Sequence, residues 1–317
     1  MRLALLFVAI LSGCAGQLTG GNHEGGDDDG APPGNRADAS VGNPSPDAGS
    51  AGTPDAATPP AGACKRGVAY NRENGADATV LKQGVGWWYN WGPAPEAGAA
   101  DALRNAGLEF VPMVFSGPPA RDIDVDAIVA QIPAGSKYLL GFNEPNFGNQ
   151  GNITPQQAAA AWPKVEQIAD RLGLKIVSPA VNYCGGNCNE TDPFKWLDAF
   201  FAACQGCRVD YIAFHWYACS KDALSSFLGQ YEQKYGKPVW LTEFACLDNP
   251  GDHSLAGQRA YMAQAIPILE ADPKVFRYSW FIGRSFPNGE ADNILGAPGT
   301  LTPLGQDYVG YAGACTP

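Results

Sequence analysis

Eight short apolar runs alternate with helix-like stretches through residues 64–317, and this alternation constrains the fold more than any other feature of the chain. The runs cover residues 66–71, 85–91, 109–115, 138–143, 175–181, 211–217, 238–244 and 276–282. Each has the length and the β-branched or aromatic content of a strand buried on both faces. Eight strand–helix repeats in about 250 residues predict a single (β/α)8 TIM barrel. A doubly wound open sheet would need a glycine-rich phosphate loop after its first strand; Gly67 and Gly75 are too far apart to form one. After the fourth run, Thr154 as N-cap, Pro155 at the first helical position and Gln157 at the capping-box position mark a helix start. Gly173 marks its end, and Pro163 inside it predicts a kink or a break.

Two of the runs end in glutamate. Glu144 closes the fourth as Asn143-Glu144-Pro145, and Glu243 closes the seventh as Leu241-Thr242-Glu243. A barrel of this type keeps its chemistry at the C-terminal ends of its strands. A single strand-end glutamate is ordinarily a solvated loop residue; two in these settings, on strands that both reach a narrow interior, predict carboxylates that meet over the barrel axis. Like charges so placed favour one shared proton, which gives an acid and a base in one site.

The N-terminus reads differently. Met1-Arg2, an apolar stretch to Leu11 and then Ser12-Gly13-Cys14 form a charged start and a short apolar core, too short to span a bilayer and typical of an export signal. Leu11-Ser12-Gly13-Cys14 resembles a bacterial lipobox, so residues 1–14 are expected to be a lipoprotein signal with Cys14 lipidated. Residues 15–63 contain no aromatic residue and are built almost entirely of small, polar and acidic residues and proline. Such a segment cannot bury a core and is expected to be a disordered tether. The 317-residue chain has net charge −11, and the folded part contains no basic run, which argues against nucleic acid as a partner.

Nine cysteines in an exported chain leave eight if Cys14 carries lipid, an even number suited to disulfides. Cys64 opens the folded domain and Cys315 nearly ends it, so a bridge between them would clamp termini that meet in a closed barrel. Cys204 and Cys207 straddle an expected helix end, Cys184 and Cys188 share one loop, and Cys219 and Cys246 follow neighbouring strands. A zinc site on Cys204-x-x-Cys207 would need a second such pair, and the sequence has none.

Six segments carry a resemblance: Gly86-Trp-Trp-Tyr-Asn-Trp-Gly-Pro93, Gly141-Phe-Asn-Glu-Pro-Asn146, Ala213-Phe-His-Trp-Tyr217, Trp240-Leu-Thr-Glu-Phe244, Tyr278-Ser-Trp-Phe281 and Leu301-Thr-Pro-Leu-Gly-Gln-Asp-Tyr308. In order and spacing they resemble glycoside hydrolase family 128, in clan A, across nearly all of residues 64–317. The resemblance implies a barrel that hydrolyses β-1,3-glucan with retention. Glu144 then matches the acid/base, Glu243 the nucleophile, and Asn143 the strand-four asparagine near the sugar 2-hydroxyl.

His215 and Tyr217 share strand parity and could both face the pocket and hold Glu243. Pyranose rings present apolar faces on which aromatic rings stack. Trp88, Trp216 and Trp280, with Asn90, are the further candidates, Trp280 because the clan commonly keeps an aromatic floor there. Alternation groups Trp88 with Asn90, and Trp87 with Tyr89 and Trp91, without saying which face looks inward. No metal or cofactor is expected: His23, His215 and His253 are scattered, and Asp27-Asp28-Asp29 reads as a solvated charge run. The expected partners are a β-glucan and, through Cys14 alone, a membrane, with the protein exported and acting as a monomer. Cleavage of another β-glycan, or glycan binding by a silent barrel, are the alternatives. If Cys14 is the anchor, Cys14→Ser moves the protein from the membrane fraction to the soluble one and leaves the folded domain intact; intact mass without lipid on Cys14 contradicts this.

Overall fold

The computed structural model describes residues 64–285, 290–313 and 315; the expected export signal, Cys14 and the tether lie outside them. Strands and helices alternate in the order β1 Arg66–Ala69, α1 Ala78–Leu81, β2 Trp87–Tyr89, α2 Ala100–Asn105, β3 Glu109–Phe110, α3 Val125–Gln131, β4 Tyr138–Leu140 and α4 Pro155–Leu172. They continue as β5 Lys175–Val181, α5 Pro193–Ala203, β6 Tyr211–Trp216, α6 Lys221–Tyr235, β7 Val239–Phe244, α7 Leu255–Ala271, β8 Val275–Phe281 and α8 Pro303–Gly310. All eight expected strands are present and all pair in parallel, in the order β3-β2-β1-β8-β7-β6-β5-β4. This is the (β/α)8 barrel that the alternation predicts.

A proline interrupts the seam between β3 and β4. The expected third strand runs to residue 115, but regular pairing stops at Phe110 because Pro112 has no N–H to donate. The chain nonetheless stays in line: Leu140 N–H donates to the Pro112 carbonyl at 2.9 Å, and Val114 N–H to that of Leu140 at 3.0 Å. Asn143 N–H reaches the Phe115 carbonyl at 2.8 Å.

The interior is filled rather than hollow. Ala69, Trp87, Tyr89, Val111, Met113, Leu140, Val177, Ala180, Tyr211, Ala213, Trp240 and Phe276 form one buried cluster inside the strands. A second, larger cluster joins the outer strand faces to the helices. Low in the barrel the Arg277 guanidinium lies 4.7 Å from the Tyr138 ring centroid and 4.9 Å from that of Trp240, and donates to Glu109 at 2.6 Å. This aromatic plug closes the N-terminal end, so only the C-terminal mouth can admit a ligand. Room for Trp87 comes from its partner Gly67 in β1, where a Cβ would stand 2.2 Å from the indole.

The capping signals at α4 act as written. Thr154 accepts from Gln157 N–H at 3.3 Å, the Gln157 side chain accepts from Thr154 N–H at 2.8 Å, and Gly173 ends the helix with φ 68°. Of the kink or break expected at Pro163, a break does not occur, since α4 runs through it to Leu172. Ala161, Trp162 and Val165 on either side are buried, and that packing offsets the one backbone bond a proline removes.

Four disulfides pair Cys64 with Cys315, Cys184 with Cys188, Cys204 with Cys207 and Cys219 with Cys246. The first links residues 251 positions apart, with Cα atoms 4.7 Å apart. Constraining so long a loop in the unfolded chain predicts that Cys64→Ala/Cys315→Ala loses about 2–5 kcal/mol, read as a lower midpoint in denaturant unfolding. An unchanged midpoint would show that the clamp contributes nothing.

Candidate active site

The strand ends of β2, β4, β6 and β7 converge at the mouth of the barrel. His215 on β6 is fully buried, and its Nδ1 lies 2.9 Å from Glu144 Oε1 and 3.3 Å from Glu243 Oε2. Both neighbours are carboxylates, so Nδ1 carries the hydrogen and donates. Facing residues on β6 and β7 pair in step to Phe214 and Leu241, after which the register shifts and His215 stands opposite Glu243. One extra residue on β7 does this, a bulge of the kind that re-aims side chains. It lets Trp240 and Glu243 both reach the interior.

Glu243 is held by three further donors. Tyr89 O–H reaches its Oε1 at 2.9 Å, Trp91 Nε1–H reaches the same oxygen at 2.7 Å, and Tyr217 O–H makes a short bond to Oε2. Trp91 supplies its indole from a left-handed backbone, φ 61°, which is a strained position for so bulky a residue. Asn90 fixes that turn: its Oδ1 accepts from Gly92 N–H at 3.1 Å and its Nδ2 donates to the Ala94 carbonyl at 2.9 Å. Glu144 also has a left-handed backbone, φ 38°. Its N–H donates to the Ala180 carbonyl of β5 at 2.8 Å and its own carbonyl accepts from Phe147 N–H at 3.0 Å, so one neighbouring strand and the turn that follows hold the strain.

Burial lifts the Glu243 carboxyl above the ordinary glutamate value, and the Glu144 charge adds to this; the His215 charge and the bonds from Tyr217 and Trp91 oppose it, and the net direction is up. For His215, burial alone would lower the value, but the charges of Glu243 and Glu144 and the bond to Glu144 outweigh it and raise it. Burial and the Glu243 charge hold the Tyr89 and Tyr217 phenols well above their ordinary value. Both therefore stay neutral and remain donors. Potential ligand atoms of Glu144, His215 and Glu243 lie within 4.8 Å of one another, a spacing a metal ion could use; hydrogen bonds among the three and from the two tyrosines and Trp91 already account for the arrangement.

The barrel brings Glu144, Glu243, His215, Tyr217 and Asn143 together. Asn143 is buried beside Glu144, its Nδ2 donating to Gln150 Oε1 at 3.4 Å. Three tryptophans expected at the cleft turn the other way. Trp88 donates to Glu73 and packs on Phe110, Trp216 donates to the Ala218 carbonyl and packs on Phe227, and Trp280 donates to the Asp292 carbonyl and packs on Phe244. All three belong to the outer cluster between strands and helices. Strand alternation is the reason: with Trp87 and Tyr89 inside, Trp88 must face out, and with His215 inside, so must Trp216. Their inward neighbours Tyr89 and Trp91, absent from the expected set, touch Glu243. Phe281 beside Trp280 meets Trp91 and Tyr217 edge-on, with centroids 6.1 and 5.5 Å away.

A model of the glycosyl hydrolase catalytic core matches residues 67–308. The chain is 46% identical, over 78% of its length and 98% of the other, to a family 128 subgroup II endo-β-1,3-glucanase from Sorangium cellulosum, with a TM-score of 0.73. It belongs to glycoside hydrolase family 128. Another family 128 structure, a subgroup I endo-β-1,3-glucanase from Amycolatopsis mediterranei in complex with laminaritriose, is 30% identical over 78% of this chain and 99% of that one, with a TM-score of 0.63. Alkali-sensitive linkage protein 1 of Schizosaccharomyces pombe is 29% identical over 254 residues. That match takes in 77% of this chain but 44% of the yeast protein's length.

For this family 128 domain the donor count at Glu243 makes a direct prediction. In a carboxyl-carbon NMR titration Glu243 titrates above 4.5, the ordinary value. Tyr217→Phe deletes a donor to the charged form and moves the midpoint further up. A midpoint that falls in the variant contradicts the arrangement.

Proposed function

We propose that this protein is a retaining endo-β-1,3-glucanase in which Glu243 is the nucleophile and Glu144 the acid/base. The observation that carries the reading is one imidazole nitrogen in contact with both carboxylates. Carboxyl groups that close suit the separation of about 5–5.5 Å used by retaining glycosidases; inverting ones leave about 6.5–9.5 Å for a water. The β-1,3-glucan substrate and the endo action are supported by the subgroup II relatives, the Sorangium enzyme and one from Pseudomonas viridiflava that is 42% identical over 97% of its chain.

The roles follow from the surroundings of each carboxylate. Glu243 accepts hydrogen bonds from Tyr89, Trp91 and Tyr217 and lies 3.3 Å from His215 Nδ1, contacts that favour its charged form against the effect of burial. It attacks the anomeric carbon while Glu144 gives its proton to the departing glycosidic oxygen, which leaves a glucosyl ester on Glu243. Glu144, now a base, takes a proton from water as that water attacks the same carbon, and the ester bond breaks. His215, hydrogen-bonded to Glu144 and 3.3 Å from Glu243, holds the two carboxylates in position for both steps. Delivery of this activity to a membrane surface rests on the lipobox-like segment that ends at Cys14.

Azide separates the two roles. Glu243→Ala abolishes turnover, and azide entering the vacated face converts an activated β-glucoside to the α-glucosyl azide. Glu144→Ala still forms the ester with a leaving group that needs no proton, and azide then gives the β-glucosyl product. Exchanged anomers would reverse the assignment, and an inverted wild-type product would reject the mechanism.

A further inference from the structure

Among the described residues only Tyr183 and Leu255 are large hydrophobics that stand exposed, Tyr183 at 49% and Leu255 at 37%. Tyr183 follows β5, at the catalytic end of the barrel. Its ring is backed by Phe227, with centroids 5.1 Å apart and planes 37° apart, and Phe227 in turn packs on Phe194 and Trp216. One side of the ring is therefore supported by the core and the rest is open. The neighbouring Asp192 carboxylate is occupied in capping α5, where it accepts from Phe194 N–H at 2.9 Å.

The loop that carries Tyr183 is sewn to the loop that carries Glu144. Asn146 Nδ2–H donates to the Asn182 carbonyl at 2.8 Å and to that of Glu190 at 3.1 Å. Asn189 returns the bond, its Nδ2–H donating to the Pro145 carbonyl at 3.0 Å and to that of Ile153 at 3.2 Å. Asn189 N–H donates to the Asn146 carbonyl at 2.9 Å, and Gly148 N–H to that of Asn187 at 2.7 Å. The Cys184–Cys188 bridge closes the loop on itself, and Cys188 pairs with Phe147. An open aromatic ring is thus held in fixed relation to the proposed acid/base.

We infer that Tyr183 is an outer glucose-stacking subsite, which a β-1,3-glucan chain reaches as it runs out of the cleft over the β5 end of the barrel. The inference rests on the glucanase reading of the central site. A single ring suits the apolar face of one pyranose. It is too small for a protein interface, which needs a contiguous patch of several hundred Å2, and the other exposed hydrophobic, Leu255, belongs to the segment after β7.

The test is the chain-length dependence of kcat/KM from laminaritriose to laminarihexaose in the wild type, Tyr183→Ala and Tyr183→Phe. A stacking subsite filled only by the longer chain predicts that the hexaose-to-triose ratio falls about 2- to 10-fold in Tyr183→Ala and is kept in Tyr183→Phe. A ratio unchanged in Tyr183→Ala overturns the subsite, and so does an equal loss on every length, which would mark a role in holding the Glu144 loop. If the wild type cleaves none of these sugars, the proposed function fails instead. Calorimetry with laminarihexaose then decides the subsite, with weaker binding by Tyr183→Ala supporting it and equal affinity rejecting it.

Discussion

Two carboxylates buried against one imidazole nitrogen would repel each other and cost several kcal/mol each in lost hydration unless hydrogen bonds replaced the water. The barrel assembles those bonds from separate parts of the chain. Tyr89 and Trp91 come from the end of β2, His215 and Tyr217 from the end of β6, and all four donate to Glu243 or stand between it and Glu144. No local segment could supply this set. Closure of the sheet, including the proline-interrupted seam at β3, is what makes a stable acidic site possible.

That closure constrains packing below the site. An interior holding Trp87, Tyr138, Tyr211, Trp240 and Phe276 needs compensating small residues, and Gly67, Ala69, Ala180 and Ala213 provide them. Gly67 is the clearest case, since its β2 partner Trp87 occupies the volume a side chain would take. A Cβ at position 67 would displace the indole, which stacks on Tyr89 with ring centroids 6.1 Å apart. The plug and the nucleophile are mechanically continuous through these two rings.

The strands and the two glutamates were legible because both leave local signals, apolar length in one case and a charged residue at a strand end in the other. The inward face of β2 was not. Alternation alone is symmetric, and Trp88 with Asn90 is as plausible a lining as Tyr89 with Trp91 until the glycine opposite Trp87 is paired with it. The bulge that sets Glu243 against His215 has no signal in Leu241-Thr242-Glu243 either, because it depends on register with a neighbouring strand. The left-handed backbone of Trp91 is likewise a product of tertiary bonds; a tryptophan gives no hint of it. Phe281 was hidden by its more conspicuous neighbour Trp280, whose indole spends its polar handle on the Asp292 carbonyl.

The Cys64–Cys315 bridge also defines how the domain bears load. Cys64 lies just before β1, at the plugged end of the barrel, with the cleft at the far end of the strands. Tension applied through the residues before Cys64 passes across the sulfurs to the chain end that follows α8, and β1 is spared from being peeled out of the sheet between β2 and β8. The first strand and the segment after the last helix are thereby joined at the plugged end, opposite the strand ends that carry Glu144 and Glu243.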